Sequence, residues 1–88
     1  MANKSSIPVG ILRRKVREVL NMQPGFGKSE EMLMEYLPRL AGGPVSLQEQ
    51  RDAREWNHEQ GYIRSEDDAD TDEILWYITA AGIAKQKL

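Results

Sequence analysis

The residues of this 88-residue chain that could do chemistry fall into a few short groups. Asp68, Asp70 and Asp72 have the spacing of the first three ligands of a calcium loop. Such a loop needs Gly at its sixth position and Glu at its twelfth, where this chain has Glu73 and Thr79. An apolar, strand-like run also follows where a helix should begin, so a solvated acidic turn is expected rather than a cation site. Gly25-Phe-Gly-Lys-Ser29 has the ending of a phosphate-binding P-loop, but the first glycine of that motif would fall on Met22, and no strand precedes it. The six carboxylates Glu66, Asp67, Asp68, Asp70, Asp72 and Glu73 crowd an open loop. A general acid–base pair needs a pocket that separates the two environments. The single histidine, His58, supplies no constellation, and with no cysteine there are no disulfides, thiolate nucleophiles or zinc-ribbon sites. No enzymatic activity, metal or cofactor is expected. What remains is a set of cations, Arg13, Arg14, Arg17 and Lys28, which suit phosphate, and a polar segment around residues 46–60 able to make hydrogen bonds.

The elements that must position these groups follow from periodicity and capping. Ile11, Leu12, Val16, Val19 and Leu20 recur at helical spacing and predict a first helix over about Pro8 to Met22, capped by Ser6, with Arg13, Arg14 and Arg17 on the far side. Gln23-Pro-Gly-Phe-Gly27 breaks it. Ser29 caps a second helix whose first-turn Glu30 and Glu31 suit the helix dipole. Met32, Leu33, Tyr36, Leu37 and Leu40 form its buried face, and Pro38 is expected to end or distort it near Leu37. After Ala41-Gly-Gly-Pro44 a very short strand is expected at Val45. Ser46-Leu-Gln-Glu49 is a capping box that opens a third helix to Gln60, closed by Gly61. On that helix Ala53, Trp56 and Gln60 share one side, flanked by Gln50 and Asn57, with Trp56 the expected anchor; Arg51, Arg54, Glu55 and His58 lie opposite, with Gln48 at the edge. Residues 62–65 and 74–79 read as strands joined by the acidic loop, with Trp76 and Ile78 inward. Thr79 caps a last helix from Ala80 to about Leu88, with Ile83 and Ala84 inward.

Composition bounds the rest. Forty per cent hydrophobic residues and a mean hydropathy of -0.62 describe a folded chain with a small core and a large wetted surface, expected as one domain over 1–88 with a flexible 1–7. No run approaches the ~18 apolar residues of a membrane span, and no signal peptide is evident, so a cytoplasmic location is expected. The net charge of -2 is unevenly spread: residues 1–28 hold six cations against one carboxylate, residues 29–60 three against seven, and residues 61–88 three against six. Folding can therefore create a basic surface on an acidic protein.

The order α, α, (short β), α, β, β, α, the break at Gly42-Gly-Pro-Val-Ser46, the Gln60-Gly-Tyr-Ile63 closure and the ending Trp76-Tyr-Ile-Thr-Ala-Ala-Gly82 together resemble the winged helix-turn-helix family of small bacterial and phage DNA-binding regulators. The resemblance covers roughly residues 9–88 and implies an α+β fold, mainly helical with a small antiparallel hairpin. It implies double-stranded DNA as partner, with the third helix in the major groove. Carried over, the base-facing candidates are Gln48, Gln50, Arg51, Arg54 and His58, and the phosphate candidates Lys28, Ser29, Arg13, Arg14 and Arg17. Two positions depart from the family. Asn57 stands where a large aliphatic is common and Arg54 where Leu is frequent, so either the helix is rotated to seat Trp56 or its packing is looser. The acidic loop would sit at the wing tip, where it suits a basic protein better than DNA. A winged helix used for protein assembly, through Glu66–Glu73 and the basic first helix, is the alternative.

Overall fold

The structure, a computed structural model, describes residues 7–88. Its elements are α1 (Val9–Asn21), α2 (Glu30–Ala41), α3 (Leu47–Glu59), β1 (Ile63–Asp67), β2 (Ile74–Ile78) and α4 (Ala80–Gln86). The expected caps at Ser6 and the terminal segment 1–6 lie outside the described residues. Pro8 occupies the N-cap position of α1, where its lack of an N–H costs nothing.

The three internal caps take the geometry their sequences predict. Ser29 accepts from Met32 N (3.3 Å) and Thr79 from Gly82 N (3.1 Å). The Ser46–Glu49 capping box is reciprocal, at 3.0 Å and 2.9 Å. Gly61 follows α3 with φ +79, the left-handed conformation that glycine adopts without strain.

Two local expectations are corrected. α2 runs through Pro38 to Ala41. The proline stands one turn from the end, so a single intrahelical bond is lost, and its carbonyl accepts from Gly42 and Gly43 to close the helix. Val45 forms no strand; it is buried in the approach to the Ser46 cap. The extra sheet contact comes instead from Lys28, just before α2. Lys28 exchanges backbone bonds with Trp76 in both directions, at 3.0 Å and 2.9 Å.

β1 and β2 pair antiparallel with Ile63 opposite Ile78 and Asp67 opposite Ile74, so the wing extends two residues further into the acidic run than expected. Its tip is a turn that uses its own carboxylates. Asp68 Oδ1 accepts from Asp70 N (2.9 Å), Asp68 N donates to Glu73 O (2.7 Å), and Asp72 takes φ +58.

The core is Leu12, Val16, Val19 and Leu20 of α1, Leu33 and Leu37 of α2, Val45, Ala53 of α3, Ile63, Trp76 and Ile78. Each fully buried aliphatic contributes roughly 1.5–3 kcal/mol. Met32, expected inside, is 44% exposed, and Ala84 is exposed as well. α4 seats on the start of β1: Thr79 Oγ1 donates to Gly61 O (2.7 Å), Thr79 N to Tyr62 O (3.0 Å), and Gly82 presses against the Tyr62 carbonyl.

Candidate nucleic-acid interface

α3 is held by polar contacts, where Trp56 was the expected anchor. Its buried residues are Gln50, Ala53 and Asn57, a face turned away from Trp56. Trp56 is therefore a half-buried rim residue rather than the anchor, with the Arg13 guanidinium 4.5 Å from its ring centroid and Tyr62 at 6.0 Å. A helical wheel favours the largest apolar residue; here the amides of Gln50 and Asn57 have partners inside that make their burial possible.

Asn57, 0% exposed, donates to Arg13 O (2.9 Å) and Ala53 O (2.9 Å) and accepts from Arg17 Nη1 (3.0 Å). Arg54 lies 4.7 Å over the Trp76 ring, and His58 meets the same ring edge-on at 5.4 Å. Arg13 and Arg54 each have an Nε without a hydrogen-bond partner, and in both the guanidinium rests on an indole. A cation on an aromatic face recovers part of the missing interaction.

The second anchor is Glu30, in the first turn of α2. Its carboxylate accepts from Arg51 Nε (2.8 Å) and Nη2 (3.1 Å), Arg54 Nη1 (2.9 Å) and Gln50 Nε2 (3.2 Å). The Arg51 hydrogen bonds above all hold its pKa at about 2, with Arg54 and Gln50 adding to them and burial opposing. The same pair raises the Arg51 pKa. Sequence reasoning missed Glu30 as more than a dipole partner, since nothing in a sequence pairs residues 20 to 24 positions apart.

These contacts redistribute the base-facing candidates. Gln50 is 0% exposed, so the expectation that it faces a base is corrected: it packs between α2 and α3. Arg54 has a side chain only 13% exposed, committed to Glu30 and Trp76. Gln48, Arg51 and His58 remain on the outside. Gln48 donates to Asp52 (2.8 Å), and Arg51 keeps 47% side-chain exposure despite its ion pair.

Among the phosphate candidates, Arg17 is 6% exposed and turned inward, so it is corrected to an interior residue. Ser29 spends its hydroxyl on the α2 cap. Lys28 is 4% exposed, with its ammonium 5.6 Å from the Phe26 centroid and its pKa lowered by burial. Arg14 is exposed and Arg13 half-buried.

A groove of about 470 Å³ separates α3 from the wing, lined by Ser29, Glu30, Glu31, Arg51, Arg54, Asp72, Glu73, Ile74 and Trp76. It brings the wing-tip carboxylates together with the α3 arginines, and its four carboxylates outnumber its two cations. Asp52, Glu55 and Glu59 on the outer side of α3 extend that acidity. The six hairpin carboxylates do not close on an ion: among the described residues no three His, Asp or Glu side chains converge as a metal site. Nor is any described helix long and apolar enough to cross a membrane.

No known family profile matches the chain, and no curated protein matches it. Among solved structures it is similar to a transcriptional regulator of the MarR family from Silicibacter pomeroyi, with a TM-score of 0.66 and 21% identity. The match covers 90% of this chain and 49% of that one, so the chain spans about half the length of that regulator. Together with the order α-α-α-β-β-α and the antiparallel hairpin, the likeness establishes the winged-helix fold.

Proposed function

We propose, from the premise of a winged-helix fold, that the chain is a small double-stranded-DNA-binding regulator or accessory factor reading DNA through the outer edge of α3. The observation that carries the reading is the placement of Gln48 and Arg51. Both are exposed near the start of the helix that this fold inserts in the major groove. Gln pairs with adenine and Arg with guanine through two donor–acceptor contacts each. His58 lies further along the same helix, and of the α1 cations Arg14 is exposed and Arg13 half-buried against Trp56, so Arg14 is the more accessible to phosphate. With so few cations on the surface, electrostatic affinity is modest and recognition depends on base contacts.

The test is a fluorescence-anisotropy titration of duplex DNA from low to physiological salt. The reading predicts binding that weakens with salt along a shallow slope, and loss of affinity in Gln48→Ala and Arg51→Ala. Absence of binding at low salt, or equal binding by both variants, would overturn it.

The acidic groove favours a second reading, a winged helix that docks a basic protein segment. Glu31, Asp72 and Glu73 have no cationic partner within 4.0 Å among the described residues, and they line a groove whose two arginines are both paired with Glu30. Neutralising Asp72 and Glu73 as Asn and Gln separates the two readings. DNA affinity rises if the groove approaches phosphate, whereas binding of a Lys/Arg-rich peptide falls if it receives protein.

A further inference from the structure

Arg17 presents a charge without a counter-ion. It is 6% exposed, yet every hydrogen bond it makes ends on a neutral oxygen. Nε donates to Gln86 Oε1 (2.7 Å), and Nη1 donates to Asn57 Oδ1 (3.0 Å) and more weakly to Arg13 O (3.5 Å). Among the described residues no carboxylate lies within 4.0 Å of Arg13, Arg14, Arg17 or Lys85; the ion pairs of the chain are elsewhere. Residues 1–6, outside the described part, contain no acidic side chain. Arginine does not escape the problem by losing its proton, because its guanidinium stays charged in proteins. A buried cation is costly until an anion and hydrogen bonds complete it.

Beside Arg17 the surface opens into a hollow of about 210 Å³ between α1 and α4, lined by Arg14, Arg17, Lys85, Gln86 and Leu88. Three cations and no acidic side chain face it. Gln86 orients Nε of Arg17 from one side and Asn57 fixes Nη1 from another, so the guanidinium plane is set before any ligand arrives. Tyr62 underlies it, 5.4 Å from the guanidinium carbon, with Lys85 6.0 Å from the same ring. The last turn of α4 brings partial negative charge to this end of the helix, which Lys85 offsets. Burial above all lowers the Arg17 pKa; the interaction with Tyr62 opposes that and the neighbouring Arg14 adds to it.

We propose that this hollow binds a phosphate group, with its oxygens on the Arg17 guanidinium and Arg14 and Lys85 closing over it. A planar fork backed by two exposed cations suits a multiply charged tetrahedral oxyanion. The site is distinct from the α3 groove, which has its own lining and whose arginines already hold Glu30. The phosphate comes either from a nucleic-acid backbone or from a free phosphate ion.

Thermal unfolding of the whole chain in sodium phosphate, against sodium chloride of equal ionic strength, tests the proposal. Phosphate is expected to raise Tm saturably, by on the order of 5 °C, as a ligand bound to the folded state does. The double variant Arg14→Ala, Lys85→Ala alters two exposed side chains and keeps the fold; it should lose the response. Arg17→Met should lose it too, whether or not its own Tm changes. An equal rise in chloride, no rise, or a full response in the double variant overturns the proposal. A second arm adds duplex DNA. If DNA affinity falls in Lys85→Ala, which leaves the α1 cations in place, and under added phosphate, the site takes a backbone phosphate; if DNA affinity is unchanged in Lys85→Ala while the Tm response is lost in the double variant, it takes the free ion. Because the first arm contains no DNA, its failure is separate from failure of the α3 reading, which Arg51→Ala tests alone.

Discussion

Glu30→Gln probes the junction on which the candidate interface turns. The carboxylate receives four hydrogen bonds from α3 and titrates near 2 instead of its ordinary 4.5. At ~1.4 kcal/mol per pH unit the displacement has a ceiling of about 3.4 kcal/mol. The Glu30 side chain is 33% exposed. Solvent screening at such a site reduces the contribution to about 1–2 kcal/mol. A depressed carboxylate pKa stabilises the folded state above the unfolded-state value, and that stability is lost as pH falls through the folded value. The junction therefore contributes fully above about pH 4.5 and disappears between there and about pH 2. Urea unfolding of wild type and Glu30→Gln between pH 7 and pH 2 should show a gap of about 1–2 kcal/mol at neutral pH that closes on acidification. The same substitution frees Arg51 and removes a negative charge from the groove, so duplex affinity should rise severalfold. A constant stability gap across the pH range would refute the electrostatic account. Weaker DNA binding in Glu30→Gln would show that the carboxylate aims Arg51 rather than restraining it.

Two further substitutions test the packing. In Gly82→Ala the new Cβ would lie 2.1 Å from the Tyr62 carbonyl oxygen, a backbone atom that cannot rotate away. A loss of more than ~2 kcal/mol by chemical denaturation is expected, and a neutral result would refute the close seating of α4. Asn57→Leu places an aliphatic side chain on the buried face but strips Arg17 of one partner. It should destabilise by about 2–3 kcal/mol alone, and Arg17→Met in the same chain should recover part of that, as replacing a buried polar set with apolar side chains does; additive losses in the double variant would contradict the coupling.

The fold was legible where the signal is local. Ser29, Ser46 and Thr79 cap helices because hydroxyls accept from N–H groups three residues on, and Gly61 takes the left-handed conformation that closes α3. The alternation of residues 74–78 placed Trp76 and Ile78 inside. The register of α3 was not legible. On a helix with so few apolar residues the wheel has only Leu47, Ala53 and Trp56 to follow, while the buried face is set by Gln50 and Asn57 through partners on α1 and α2. For the same reason the sequence showed Arg17 as one of three surface cations, though it is the one that turns inward. Polar pairing across 20 to 69 positions leaves no period to read. Charge was legible in amount but not in place: the acidic loop and the α2 carboxylates meet at the groove only after folding.

Backbone amide shift mapping of the labelled chain, titrated with duplex DNA at low salt, tests whether α3 meets DNA. The account predicts saturable changes concentrated on residues 46–58 and the first turn of α2, with the side-chain amide of Gln48 among the largest. Changes confined to α1 and α4, or none at all while a Lys/Arg-rich peptide shifts the groove, would contradict it.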